Sequence, residues 1–333
     1  MRRNIFHKQN TLHSTLCRST ATSQVKKVPT ILKVFLVFVL AVFLDSCKKD
    51  GEIIPGNTAP YYDGVPNVLI ENYINRLFID LIGREPLDAE MTSELAILKE
   101  AGLSPSARYG LVNKLQTDTN FIQGDSSYKH AYYIRFYELS KARMLEGAAD
   151  YQINDQFIAI LSFSVYADSI SGDSFSMEIG RQKIRLLEDV LAIPYDYRMG
   201  SVEIKDVYAR LLNNAVYDQI NMNTFNFVNA SFDDLFFRFP TQSEFGRGYN
   251  MVEFDQPEIL FGISGQNKGD YVSILANSKE FYEGMIRWLY QTWMAREPST
   301  TEVYNHMMTF FQNHDVQKVQ RAILISDEYA NFN

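Results

Sequence analysis

Asn75-Arg76-Leu77-Phe78-Ile79-Asp80-Leu81-Ile82-Gly83-Arg84-Glu85-Pro86 is the stretch whose reading decides the fold. Working back from it, Ile70, Tyr73, Ile74, Leu77, Phe78, Leu81 and Ile82 recur at i, i+3, i+4, i+7 and i+8. That spacing puts them on one face of an amphipathic helix. Gly83 is a helix stop, and a residue ahead of proline avoids helical backbone, so the helix ends at Gly83-Arg84-Glu85-Pro86. A second helix is predicted from about Asp88 to Glu100.

The same device returns twice. Phe232 to Glu244 lines up with Phe78 to Glu90 when a two-residue shift is allowed before the pair Asp80-Leu81 and Asp234-Leu235. Trp288-Leu289-Tyr290 leads into Arg296-Glu297-Pro298-Ser299-Thr300-Thr301-Glu302. All three copies share Arg-x-Pro-x-x-x-Glu, carried by Arg84, Pro86 and Glu90, by Arg238, Pro240 and Glu244, and by Arg296, Pro298 and Glu302. They lie 154 and then 58 residues apart, so a large insertion separates the first from the others. The shared residues have a local explanation. Proline suits the chain just ahead of a helix, and Thr241 with Glu244 and Ser299 with Glu302 are capping boxes. In the first copy Asp88 is expected to cap in place of Leu87. Asp80 and Asp234 each stand four residues before an arginine and are expected to pair with it. A catalytic Arg–Glu pair is the weaker reading. The copies end alike, at Gln116-Thr117-Asp118-Thr119-Asn120-Phe121, Asn277-Ser278-Lys279-Glu280-Phe281 and Ser326-Asp327-Glu328-Tyr329.

These motifs resemble the "DLLGREP…SDEY" helical domain of secreted bacterial proteins, itself similar to phycobilisome linker domains. Asn75 to Gly83 also resembles the helical domain beside cytochrome modules in planctomycete-type proteins. The resemblance covers about residues 68–123 and 225–333 and implies assembly and surface display. No Cys-x-x-Cys-His haem attachment is present, and no cofactor is expected. The fold class is all-α, a helical bundle of three related helix-pair units with a four-helix insertion.

The N-terminal part reads as an export address. Lys26 and Lys27 precede an uninterrupted apolar run, Val34 to Leu44, of 11 residues. That length suits the apolar core of a signal peptide and falls short of the ~20 residues a bilayer span needs. Leu44-Asp45-Ser46-Cys47 resembles a lipobox, although Asp45 stands where most have a small residue. The resemblance implies lipidation at Cys47, cleavage before it, and a lipid tether to the outer membrane of a Bacteroidota-type cell. Lys48-Lys49-Asp50-Gly51-Glu52 resembles the tags that route such lipoproteins to the cell surface; the competing reading is a plain linker and a periplasm-facing protein. The expected organisation is signal peptide 1–47, linker 48–67, repeat 1 at 68–123, insertion 124–224, repeat 2 at 225–283 with a long loop at 245–269, and repeat 3 at 284–333.

Residues 1–47 hold seven of the 32 basic side chains and one of the 40 acidic ones, so the remainder carries 25 against 39, a net −14. Such a body repels phosphate backbones, and nucleic acid is excluded as a partner. The cysteines are Cys17 and Cys47, so processing before Cys47 would leave no pair for a disulfide.

In the insertion, helices are expected at 127–147, 150–168, 176–193 and 201–220, with a loop from Ser169 to Ser176 and a tight connection from Pro194 to Gly200. The stretch 245–269 is rich in Gly, Asn and Gln, with Glu253, Asp255 and Glu258 close together. It is the expected binding surface, with Tyr249 as a contact residue; a paired-carboxylate hydrolase there is the enzymatic alternative. Asp168, Asp173 and Glu178 are a weaker calcium candidate. His130, His306 and His314 have no partner at metal-ligand spacing, and His306 reads as an edge-of-core histidine. Tyr61, Tyr62, Tyr195, Tyr197 and Tyr249 fall in expected loops and could form contact platforms for glycan or protein. The sequence therefore points to a non-enzymatic envelope scaffold with a protein partner, or alternatively to glycan or peptide capture.

Overall fold

The computed structural model describes residues 64–332. The leader, Cys47, Tyr61, Tyr62 and most of the linker lie outside the described residues. The described chain is all-α apart from one two-stranded hairpin.

Helix α1 (Asn67–Ile82) buries the apolar face read from the sequence, with Ile70, Tyr73, Ile74, Leu77, Phe78, Leu81 and Ile82 all 6% exposed or less. It ends at Gly83, whose φ of +80° is left-handed and whose N–H closes back on Phe78 and Ile79. Helices α2 (Asp88–Glu100) and α3 (Pro105–Thr117) follow, and α4 (Tyr128–Met144) packs along α1. The second unit repeats this order with α10 (Thr224–Phe236), α11 (Gln242–Phe254), a hairpin of β1 (Glu258–Leu260) and β2 (Ile263–Gly265), α12 (Lys268–Ala276) and α13 (Lys279–Met294). Helix α13 packs along α10 as α4 does along α1, and it also opens the third unit, continued by α14 (Thr300–Asn313), α15 (Val316–Leu324) and α16 (Asp327–Ala330). Each helix pair therefore carries a third helix, and the expected boundary at 283/284 falls inside a helix that two units share.

In the insertion, the second expected helix is α5 (Asp150–Ile160), a π-turn at Leu161–Val165 and α6 (Tyr166–Ser171). The third, α7 (Ser174–Met199), runs straight through Pro194, so no tight connection exists there. Burial of Val190 and Ile193 on its inner face, with Tyr197 packed against Tyr133 and Phe136, offsets the ~3 kcal/mol an internal proline costs. The fourth splits into α8 (Ile204–Leu212) and α9 (Ala215–Asn221). Asn214 makes the break: its amide donates to the Arg210 and Leu211 carbonyls and accepts from Val216 and Tyr217 N–H.

First and last units are locked together. Tyr73 Oη donates to the Leu324 carbonyl at 3.1 Å, and Arg76 donates to the carbonyls of Tyr329 and Trp293 while lying 4.1 Å over the Tyr329 ring. Buried Gln320 takes the Tyr132 hydroxyl and the Gln116 amide. At the centre Arg143 donates to the Asp234 carbonyl between Tyr208, Phe237 and Trp288, and burial lowers its pKa.

The α10–α13 contact is close enough to require glycine: a β-carbon built on Gly284 would overlap the Leu235 carbonyl. Gly110 in α3 meets nothing. Gly284→Ala is expected to destabilise by about 2–3 kcal/mol through overpacking. Gly110→Ala should stabilise by ~0.5–1 kcal/mol through helix propensity. Urea unfolding of both variants checks this, and equal effects would refute it.

Candidate interaction surface

The sequence-derived motif builds the same knot three times. Arg84 forks onto Glu90 at 2.7 and 2.9 Å, Arg238 onto Glu244 at 2.9 and 2.8 Å, and Arg296 onto Glu302 at 3.0 and 2.7 Å. Each arginine also donates to the carbonyl of the next residue, and through Nε to a second acid: Asp125, Glu280 or Glu328. Each guanidinium covers the ring six residues upstream, Phe78, Phe232 or Tyr290. The glutamate accepts the N-cap N–H as well, from Leu87, Thr241 or Ser299 at 2.7 Å. Pro86, Pro240 and Pro298 sit in the bends between helices, where no N–H is needed.

Four expectations are corrected here. Asp80 and Asp234 do not pair with the arginines four residues on, because each is turned inward to accept a tyrosine hydroxyl, from Tyr329 and Tyr217, at 2.7 Å. Asp88 lies inside its helix, so Leu87 is the cap residue and Glu90 supplies the capping bond. No shift separates the first two copies, since Phe78, Asp80 and Arg84 each match the residue 154 later. The first copy ends at Asp125-Ser126-Ser127-Tyr128 rather than at Gln116–Phe121: Ser127 caps α4 as Ser278 caps α13 and Ser326 caps α16.

Hydrogen bonds from the arginines hold Glu244 and Glu302 down at about 2. At Glu90 burial acts upward, but Arg84, Tyr128 and the Leu87 N–H outweigh it, again to about 2. Asp234 moves the other way, pushed to about 6 by burial, and burial also raises Asp80.

The expected loop at 245–269 is mostly ordered secondary structure: it holds most of α11, the hairpin and the start of α12. Gly246 and Gly248 are helical, and Gly248 lets α11 approach Tyr271. Its acids do not converge. Glu253 takes the Thr224 hydroxyl, Glu258 takes the Asn250 amide at 2.7 Å, and Asp255 is the left-handed residue ending α11. Tyr249 stacks on Phe245 in the helix. Tyr195 and Tyr197 are helical too, and Tyr197 is packed against Tyr133 and Phe136. Asp168, Asp173 and Glu178 are engaged separately by Ser164, Ser176 and Arg185. No metal-binding group of three occurs among the described residues. His306, half-buried beside Tyr290 at 3.1 Å, is the edge-of-core histidine read from the sequence.

The surface that sequence reading missed is the hairpin arm of α5, the π-turn, α6 and the first part of α7. Its root is anchored by buried Lys141, which meets Asp150 at 2.6 Å and Glu138 at 2.9 Å. Ile153 is buried there. From the π-turn outwards only Val165 and Gly180 are buried between 161 and 180, while Phe163 is 84%, Phe175 77%, Ile170 71% and Tyr166 66% exposed. Gly180 lets the helices cross: a β-carbon there would lie 2.8 Å from Val165. π-turns are rare and concentrate at functional positions. An available signal was Ser162-Phe163-Ser164 and Ser174-Phe175-Ser176, in which each phenylalanine is isolated among hydroxyls.

Comparison of the chain with protein-family models, curated proteins and solved structures gives no match. Among the described residues no helix is long and apolar enough to cross a membrane.

The two groups of shifted acids act in opposite directions. Asp234 ionises near 3.8 when unfolded and about 6 when folded, so stability falls as pH rises through that window. Glu244 and Glu302 ionise at 4.5 unfolded and about 2 folded, so their contribution is lost as pH falls from 4.5 towards 2. Urea unfolding against pH is expected to peak between 4 and 5. Asp234→Asn should flatten the alkaline side only, and an unchanged profile would refute the assignment.

Proposed function

We propose that this chain is an exported, lipid-anchored envelope protein whose helical body works as an interaction module in envelope assembly or surface display, without a chemical step of its own. The observation that carries this reading is the apolar arm. Large apolar patches on a protein body mark interaction sites, and this one lies on a hairpin held at its root by the ion pair of buried Lys141 with the exposed Asp150. The sequence-derived acids point the same way, because Glu253 and Glu258 are each taken up by a local partner and Asp255 serves as the left-handed end of α11. Tethering rests on the apolar run ahead of Leu44-Asp45-Ser46-Cys47, and the acidic body leaves nucleic acid an unfavourable partner.

A glycan- or peptide-capturing lipoprotein is the second reading. It is favoured by a groove of about 400 Å³ between α5 and α9, lined by Gln152, Asp155, Gln156 and Gln219. Side-chain amides and carboxylates of this kind suit hydroxyl-rich ligands. A glycan array that stays blank, with Gln156→Ala indistinguishable from wild type, would remove it.

The test of the first reading is Cys47→Ala in the native envelope, with lipid labelling and fractionation. Wild type is expected to carry label and sediment with membranes, and the variant to lose both. A variant that stays in the membrane fraction would overturn the tether.

A further inference from the structure

We infer that the arm pairs with the arm of a second copy of this chain, the two lying antiparallel. This rests on the reading of the arm as an interaction surface and names its occupant. The distal hairpin cannot hold its shape by its own burial, since only Val165 and Gly180 are covered between 161 and 180. Helix α6 has six residues, and a helix this short is marginal in water without a packed face. An apolar groove of about 430 Å³ runs between the two helices over Leu161, Val165, Tyr166 and Met177, with Arg181 at its edge. At about 200 Å² for each aromatic side chain, the exposed apolar residues Ile158, Phe163, Tyr166, Ile170 and Phe175 offer roughly 700 Å². That is about one partner's share of a stable interface.

Charge selects the occupant. Residues 161–180 hold Asp168, Asp173 and Glu178 and no basic residue, a distribution that anionic lipid headgroups repel. Arg181, Lys183 and Arg185 follow at once on the same helix, all exposed. Along α7 an acidic start followed by a basic stretch is complementary to itself when two copies of that helix run antiparallel, while the facing α5 carries Asp155. Within one chain Glu178 already lies 2.7 Å from Arg185 and 3.9 Å from Arg181; a two-fold axis near Ile179 and Gly180 sets it opposite Arg181 of the other copy as well and brings Asp173 within a turn of that copy's Arg185. The shared surface is the same on both copies, as a closed dimer requires.

The test places a photo-crosslinking benzoyl-phenylalanine at Phe163 or Phe175 in the full chain within intact envelopes, with products mapped by mass spectrometry. The expected product has twice the mass, contains this chain alone, and joins position 175 to the 181–186 region of the other copy. Adducts to lipid, to a different protein, or from tip to tip would overturn the pairing. A different protein would leave the interaction-module reading standing, whereas no adduct of any kind would remove both. In a companion measurement, Phe163→Asp with Phe175→Asp in the purified full chain should halve the mass seen by light scattering while helical circular dichroism stays constant; an unchanged mass overturns the proposal.

Discussion

The body is organised by a single ionic contact used three times: an arginine just past a helix end, forked onto a glutamate in the first turn of the next helix. That glutamate is already committed to the N-cap N–H, so one carboxylate fixes both the start of the second helix and the reach of the arginine. The Nε bond to a second acid then brings in the segment that opens the following helix. Four elements of chain direction are thus set at one point. A solvent-exposed pair contributes little, but here the bonds are bidentate, partly buried and lie against an aromatic ring, the arrangement in which arginine is strongest.

Because each unit ends on the helix that packs against its first, units can share elements, and α13 belongs to two. The last unit closes with only the short α16, which leans on α1 through Tyr329, Asp80 and Arg76. The N- and C-terminal units therefore complete each other, and neither buries its apolar face alone. Gly284 belongs to the same economy of space, since the shared helix must approach α10 at backbone distance. The insertion is tied into this frame at Lys141 and Arg143, and past that root it leaves the core.

That departure is where the molecule stops serving its own stability. In the core aromatic side chains fill the interior in edge-to-face pairs, and its arginines are matched by acids from distant segments. On the distal arm aromatic residues face water, and the helix carries a π-turn that costs hydrogen-bond geometry without any gain in burial. A segment built against local stability is what a binding surface demands.

The sequence determined the all-α class, the three motif copies, the buried face of α1 and the capping boxes. All of these follow from local periodicity and from donors and acceptors a few residues apart. It could not place Asp125, Glu280 and Glu328, which lie 41, 42 and 32 residues from their arginines. Nor could it tell that Asp80 and Asp234 turn inward to tyrosines 249 and 17 residues away. Glycine and asparagine between 245 and 269 read as a loop because propensity favours one, yet packing against Tyr271 makes most of it helix and hairpin. The apolar residues of the arm are indistinguishable from core by composition. Whether a phenylalanine is buried depends on whether another element arrives to cover it, and that is decided only when the whole chain has folded.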